Sequence, residues 1–179
     1  MNQIIKSLLT VTAVAGAFVL SGCASGDHHP ARGRHARAEL NPASGSAVRG
    51  VVDFYETAKG VRVVATVSGL TPGLHGFHIH EKGDCSAPDA TSAGPHFNPG
   101  GMKHGGPGDA MRHAGDFGNI TANAAGIAKF EALDHHITFD GANSILGRGV
   151  IVHASADDLS GQPAGNAGAR QACGVIQAH

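Results

Sequence analysis

Short runs of β-type alternation recur along most of the chain and set its first reading. They cover Ala47–Glu56, Val61–Ser68, Gly76–His80, Phe117–Thr121, Ile127–Leu133, Gly149–His153 and Cys173–Gln177, with a further run at Ala38–Asn41. Turn residues punctuate them: Lys59-Gly60, Thr71-Pro72-Gly73, Asn123 to Gly126 and Asp140-Gly141. Helical spacing is absent. About eight short strands at this spacing predict an all-β sandwich or barrel.

Two stretches interrupt the rhythm. Glu81 to Met111 is rich in Gly, Pro, Asp and His, and Ala154 to Ala169 is a shorter segment of the same kind. Long loops in a compact domain are functional or disordered, and the histidines and aspartates here favour function. Composition agrees with a tightly turned protein, since 27 glycines and no tryptophan suit turns better than helices.

The first residues read differently. Lys6 precedes an uncharged apolar run from Ser7 to Leu20, too short for a comfortable membrane span and laid out like a secretory leader. Leu20-Ser21-Gly22-Cys23 resembles the lipobox of bacterial lipoproteins, which implies cleavage before Cys23 and a lipid on that cysteine. A plain signal peptide cut nearby is the alternative. Residues 1–22 are therefore expected to be a leader, 23–38 a flexible tether bearing His28, His29, His35, Arg32, Arg34 and Arg37, and 39–179 the folded domain. Lipid on Cys23 would anchor the protein at a membrane surface without spanning it. Ala24, in place of an aspartate after the cysteine, favours an outer membrane where the cell has one.

Charge and cysteines narrow the class. Thirteen Lys+Arg against 14 Asp+Glu give a net charge of −1, so there is no basic excess to suggest a nucleic-acid partner. With Cys23 assigned to lipid, Cys85 and Cys173 remain as a pair in an oxidising compartment, two buried thiols being the alternative.

The candidate chemistry lies in the histidines. His78 and His80 alternate with Phe77 and Ile79, so in a strand they share one face. The long segment then supplies His96, His104, His113 and Asp116, and His153 closes a later strand. Imidazole suits copper and zinc, and a carboxylate among histidines suits zinc. His113 and Asp116 lie close enough in sequence to reach one ion, and His78 and His80 another. No cysteine is left over for an iron–sulfur cluster. Spacing alone does not assign ligands to ions.

The motifs together do more. Gly76-Phe77-His78-Ile79-His80-Glu81, Gly94-Pro95-His96-Phe97-Asn98-Pro99, Lys103-His104-Gly105-Gly106-Pro107, Arg112-His113-Ala114-Gly115-Asp116, Val152-His153, Ala156-Asp157-Asp158-Leu159 and Gly165-Asn166-Ala167-Gly168-Ala169-Arg170 occur in order between Ala47 and Gln177. In this the chain resembles copper/zinc superoxide dismutase, and the position of Cys85 resembles the exported bacterial branch. The resemblance implies a Greek-key β-sandwich or barrel of about eight antiparallel strands with two long functional loops. It implies one copper held by His78, His80, His96 and His153, and one zinc held by His96, His104, His113 and Asp116. It further implies an Asp157 carboxylate joining His78 to His104, Arg170 at the mouth of the copper channel, and a Cys85–Cys173 disulfide. Superoxide would be the substrate, with His96 and Arg170 as the catalytic side chains.

Several expectations complete the reading. Ser160 to Ala169 carries no charge, unlike the steering loop of the animal enzymes, so Lys82 or Lys103 would have to guide the anion. A catalytically silent copper- or zinc-binding relative, or a metal chaperone, is the competing class, but it would be expected to lose a copper ligand or the arginine. The protein is expected in the periplasm or on the cell surface, as a monomer or homodimer. His75 is expected to be structural, His135 and His136 loop surface, and His179 terminal. The tether histidines His28, His29 and His35 are read as solvated, with metal capture the alternative.

Overall fold

The computed structural model describes Met1 and residues 33–179. The expected leader, Cys23 and most of the expected tether lie outside the described residues. The last part of that tether is strand. β1 runs His35–Pro42, with Ala36, Ala38 and Leu40 turned inward and His35 and Arg37 outward. The folded domain thus starts at least four positions before Glu39. The apolar face of this strand is built largely from alanine, too weak a signal to stand out between a histidine and two arginines. His35 is correspondingly not a free tether residue. Its ring stacks on Tyr55 with centroids 4.5 Å apart and bonds Asp53 at 2.8 Å.

β2 (Arg49–Thr57) and β3 (Gly60–Ser68) form a hairpin with Arg49 opposite Ser68 and Thr57 opposite Gly60. In β3, Val61, Val63, Ala65 and Val67 face inward and Arg62, Thr66 and Ser68 outward, the period of two expected of a half-buried strand. Next come β4 (Gly73–His80), β5 (Asp116–Ala122), β6 (Ala128–Asp134), β7 (Gly149–His153), β8 (Arg170–Val175) and the two-residue β9 (Gln177–Ala178). The run expected at Cys173–Gln177 is therefore divided between β8 and β9. Pairing follows the order β2-β3-β6-β5-β4-β7-β8-β1, and β1 pairs back onto β2. Eight antiparallel strands close into a Greek-key barrel, and β9 adds to the outer part of β1 at Ala36 and Arg37. Phe54, Phe77, Ile79, Ile120 and Ile176 fill the interior, with the Phe77 and Phe117 rings 5.4 Å apart.

The two long segments lie where the sequence puts them, joining β4 to β5 and β7 to β8. The first contains only one 3₁₀ turn, Thr91–Ala93. A third long connection, between β6 and β7, was not singled out. It buries Ile137, Phe139 and Ile145 in the main core and contributes no residue to either cluster of candidate metal ligands. The Cys85–Cys173 disulfide joins residues 88 apart and ties the first long loop to β8, packing with Ala43, Ala90, Ala93 and Ile151.

Candidate metal centre

β4 provides the base of the site. Phe77 and Ile79 enter the core while His78 and His80 face the other way, yet all four are almost completely buried. The second face is covered by the two long loops. β7 pairs with β4 through Phe77↔Val152, His78↔Ile151 and His80↔Gly149, which brings His153 to the same face at the end of β7. His96 arrives by backbone pairing. Phe97 N donates to Ile79 O at 2.8 Å, Glu81 N to Pro95 O at 2.9 Å and Gly115 N to Phe97 O at 3.0 Å. The segment around His96 is thus held against the end of β4 like an added strand. Gly115 permits this, because a Cβ there would strike the Ile79 carbonyl.

Two donor sets result. His78, His80, His96 and His153 place one nitrogen each within 4.8 Å of one another. His96, His104, His113 and Asp116 do the same with three nitrogens and a carboxylate oxygen. His96 belongs to both, its ring centroid 4.1 Å from His78 and 5.3 Å from His104.

The hydrogen bonds show which atom each ring offers. His80 Nδ1 donates to Gly94 O at 2.8 Å and His153 Nδ1 to Gly168 O at 3.1 Å, so the lone pair of each ring lies on Nε2. His78 Nε2 and His104 Nε2 bond the two oxygens of one carboxylate, Asp157, at 2.7 and 2.9 Å. Their lone pairs therefore lie on Nδ1. His78 Nδ1, His80 Nε2, His96 Nε2, His104 Nδ1 and His153 Nε2 are all buried without a hydrogen-bond partner. In the second set, Asp116 Oδ1 lies 2.8 Å from His96 Nδ1 and 3.2 Å from His113 Nδ1, and Oδ2 lies 3.1 Å from His104 Nδ1.

Burial sets the charge state. It pushes His78 and His80 well below the ordinary imidazole value and His153 to about 4, and a positive charge on His96 would push the same way. His113 is lowered by burial against the opposing pull of Asp116. For Asp116, burial acts to raise the carboxyl, but the hydrogen bond from His96 and the charges of His96 and His104 outweigh it and hold it below the usual range. Near neutral pH, His78, His80, His113 and His153 are neutral lone-pair donors and Asp116 is an anion. Four imidazole nitrogens suit copper, and three imidazoles with one carboxylate suit zinc. The donor atoms therefore fit both metals.

Arg170, at the start of β8, is half-buried and donates to Ala90 O and Gly94 O at 2.7 Å each. Gly94 O also accepts from His80, so one carbonyl holds both the cation and a ring of the first set. Partial burial lowers the Arg170 pKa, and its charge in turn disfavours protonation of His80 and His153. The disulfide and Arg170 both fasten the loop containing Ala90 and Gly94 to β8.

Every ligand position expected from sequence comes together, as do Asp157 and Arg170. His75 is buried, with Nδ1 facing His153 O and Nε2 facing Thr71 O, in keeping with a structural part. His135 is a surface residue bonded to Lys59 O, and His179 lies edge-on to His35. His28 and His29 lie outside the described residues. Sequence reasoning missed the Gly94 and Gly168 carbonyls, which no side chain advertises. It also missed Asn119, whose amide clasps the Asp157 backbone through bonds of 2.7 and 2.9 Å. A polar side chain in the middle of β5 was the available signal. A cleft of about 550 Å³, bordered by Glu81, Lys103, Arg148 and Gln162, opens onto His96 and His113.

Two comparisons bear on this geometry. A family model described as copper/zinc superoxide dismutase matches residues 48–176. A crystal structure of the clock protein EA4 superposes with a TM-score of 0.74 at 40% identity, covering 82% of this chain and 95% of that one.

Proposed function

The chain belongs to the copper/zinc superoxide dismutase family, and from that premise we propose that it converts two superoxide anions and two protons into dioxygen and hydrogen peroxide. The observation that carries the reading is the buried, unpartnered ring nitrogens of His78, His80, His96 and His153, which lie within 4.8 Å of one another and are turned there by hydrogen bonds on the far side of their rings. An unpaired buried acceptor costs about 1–3 kcal/mol, so several converging at one place are best explained as metal ligands. Copper would be held by His78, His80, His96 and His153, and zinc by His96, His104, His113 and Asp116. Bound there, copper would supply one-electron redox chemistry and zinc a fixed positive charge.

The chain's own groups then have definable tasks. His96 stands between the two sets, with Nδ1 on the Asp116 side and Nε2 on the His78 side. Nε2 is the atom that holds a proton between the two half-reactions and delivers it to the departing product. Arg170 aligns the substrate anion, since a guanidinium stays charged and presents several donors in one plane. Its bonds to Ala90 O and Gly94 O fix its position before substrate arrives. Asp157 holds the His78 and His104 rings with their lone pairs inward.

The test is metal analysis combined with a superoxide-consumption assay on wild type and His153→Ala. Wild type should take up one copper and one zinc and consume superoxide, and His153→Ala should lose copper and activity but keep zinc. Wild type with zinc but no copper, and no activity after copper reconstitution, would sink the enzyme reading in favour of a silent metal binder.

We further propose that the protein works outside the cytoplasm, anchored through a lipid on Cys23. The leader-like pattern of residues 1–22 and the Cys85–Cys173 bond, of a kind that persists in oxidising compartments, support this. Cys23→Ser should move the protein from the membrane fraction to the soluble one. A wild type that is already soluble and without lipid refutes the anchor.

A further inference from the structure

His104 lies in a segment without regular structure, followed by Gly105 and Gly106. Such backbone has little intrinsic rigidity. Side chains hold it: Gly105 N donates to Asp116 Oδ2 at 3.1 Å and Gly106 N to Asp109 Oδ2 at 2.8 Å, and one further side chain holds the backbone of His104 itself. The Gln162 amide pairs with both backbone groups of His104: Oε1 accepts from His104 N at 3.0 Å and Nε2 donates to His104 O at 2.9 Å. No other hydrogen bond reaches those two atoms among the described residues. Asp157, from the same loop as Gln162, bonds His104 Nε2 at 2.9 Å. That loop thus engages three of the four polar atoms of His104. The fourth, Nδ1, is left free and faces Asp116 Oδ2 at 3.1 Å.

The loop presenting Gln162 is itself braced. Asp158 Oδ1 accepts from Gly161 N at 2.6 Å and Ser160 N at 3.1 Å, while Oδ2 accepts from Asn166 Nδ2 at 2.7 Å. Gln162 Nε2 also donates to Ser160 O at 3.1 Å, which fixes the rotamer of its own side chain. The amide is an oriented clamp rather than a surface residue that happens to touch its neighbour.

We infer that Gln162 is a positioning residue that preorganises His104 as a ligand of the His96, His104, His113 and Asp116 set, locking the β7–β8 loop onto the β4–β5 loop. The inference rests on the zinc assignment proposed above. A residue that only stabilises the fold supports the metal-free and metal-bound states equally and leaves affinity unchanged. A positioning residue changes affinity, because its loss makes metal binding do the ordering.

The experiment uses zinc alone, titrated against a chromophoric chelator into disulfide-bonded protein carrying His153→Ala. That background removes one histidine from the other set and leaves this one complete. Adding Gln162→Met, which keeps the length of the side chain and loses both bonds, should weaken zinc binding about 10- to 100-fold, the usual effect of removing a group that orients a ligand. Hydrogen exchange at the His104 amide should quicken in the metal-free protein. Gln162→Asn, with its amide one methylene short, should behave the same way and serves if the methionine variant does not fold. A loss of less than tenfold overturns the inference alone. Failure of the Gln162-containing protein to bind one equivalent of zinc overturns the zinc assignment and the inference with it.

Discussion

Asp157 carries more of the site than its lack of contact with either proposed ion suggests. One buried carboxylate bonds His78 Nε2 and His104 Nε2 and also accepts from Leu159 N at 2.7 Å. Gly165 makes room for it, since a Cβ there would collide with the carboxylate. Asp157→Ala should therefore weaken copper and zinc binding together, each by about 10- to 100-fold, as read by chelator competition for each metal. A loss confined to one metal would show that the two rings are oriented independently. At this scale the sequence was most legible. Histidines and an aspartate declare their chemistry by type, so the seven residues that come together in the two donor sets stood out as candidates, while their division between two ions and the parts of Asp157 and Arg170 came from the resemblance. The Gly94 and Gly168 carbonyls and the Gln162 amide could not, because a backbone acceptor has no signature and one glutamine in a loop resembles any other.

Strands were legible where branched side chains mark the pleat, as with the valines of β3, and poorly legible where alanine does the same work. β1 is that case. Its outer face carries an ion cluster in which Arg37 and His35 both bond Asp53 Oδ1, each at 2.8 Å. Partial burial acts to raise the Asp53 carboxyl, but the hydrogen bonds from Arg37 and His35 outweigh it and hold it below its ordinary value. A carboxyl depressed in the folded state contributes stability that is complete above its unfolded pKa and disappears as pH falls through the folded one. Asp53→Asn should cost up to about 1 kcal/mol near neutral pH, the scale of a partly exposed pair. The gap in urea midpoint between the two proteins should begin to close below about pH 3.9, the ordinary value for an aspartate, and should vanish once the pH is below the depressed folded value. Using metal-free protein makes ligand protonation common to both, so it cancels in the difference. A gap that persists unchanged into acid would assign the effect to packing. The β6–β7 connection was missed for a related reason, since its buried Ile137, Phe139 and Ile145 are scattered among turn residues without a period.

The whole molecule raises a question of charge. Barrel closure joins β1 to β8 and β3 to β6, contacts that local alternation cannot encode, so the fold class was legible from the strands and the strand order only from the resemblance. The substrate proposed here is an anion, while the chain has a net charge of −1. Attraction must then be local. The stretch from Ser160 to Ala169 holds no charged residue. At the cleft that opens onto His96 and His113, on the side of the second donor set and away from Arg170, the cations are Lys103 and Arg148. Arg148 is fixed in place, bonding Ser144 O and Glu81 O and lying 3.7 Å from the centre of the Phe97 ring. Lys103 makes no ion pair among the described residues and is free to act on an approaching anion. Reversing its charge with Lys103→Glu should lower kcat/KM by up to about tenfold at low salt, within the range that local fields change encounter rates. Raising ionic strength from about 0.01 M to 0.15 M shortens the screening length from about 30 Å to 8 Å. The wild-type rate should fall over that range and the gap to Lys103→Glu should narrow, at unchanged copper and zinc content. A deficit that is the same at both salt concentrations would assign Lys103 a local structural role, and a wild-type rate insensitive to salt would remove steering altogether.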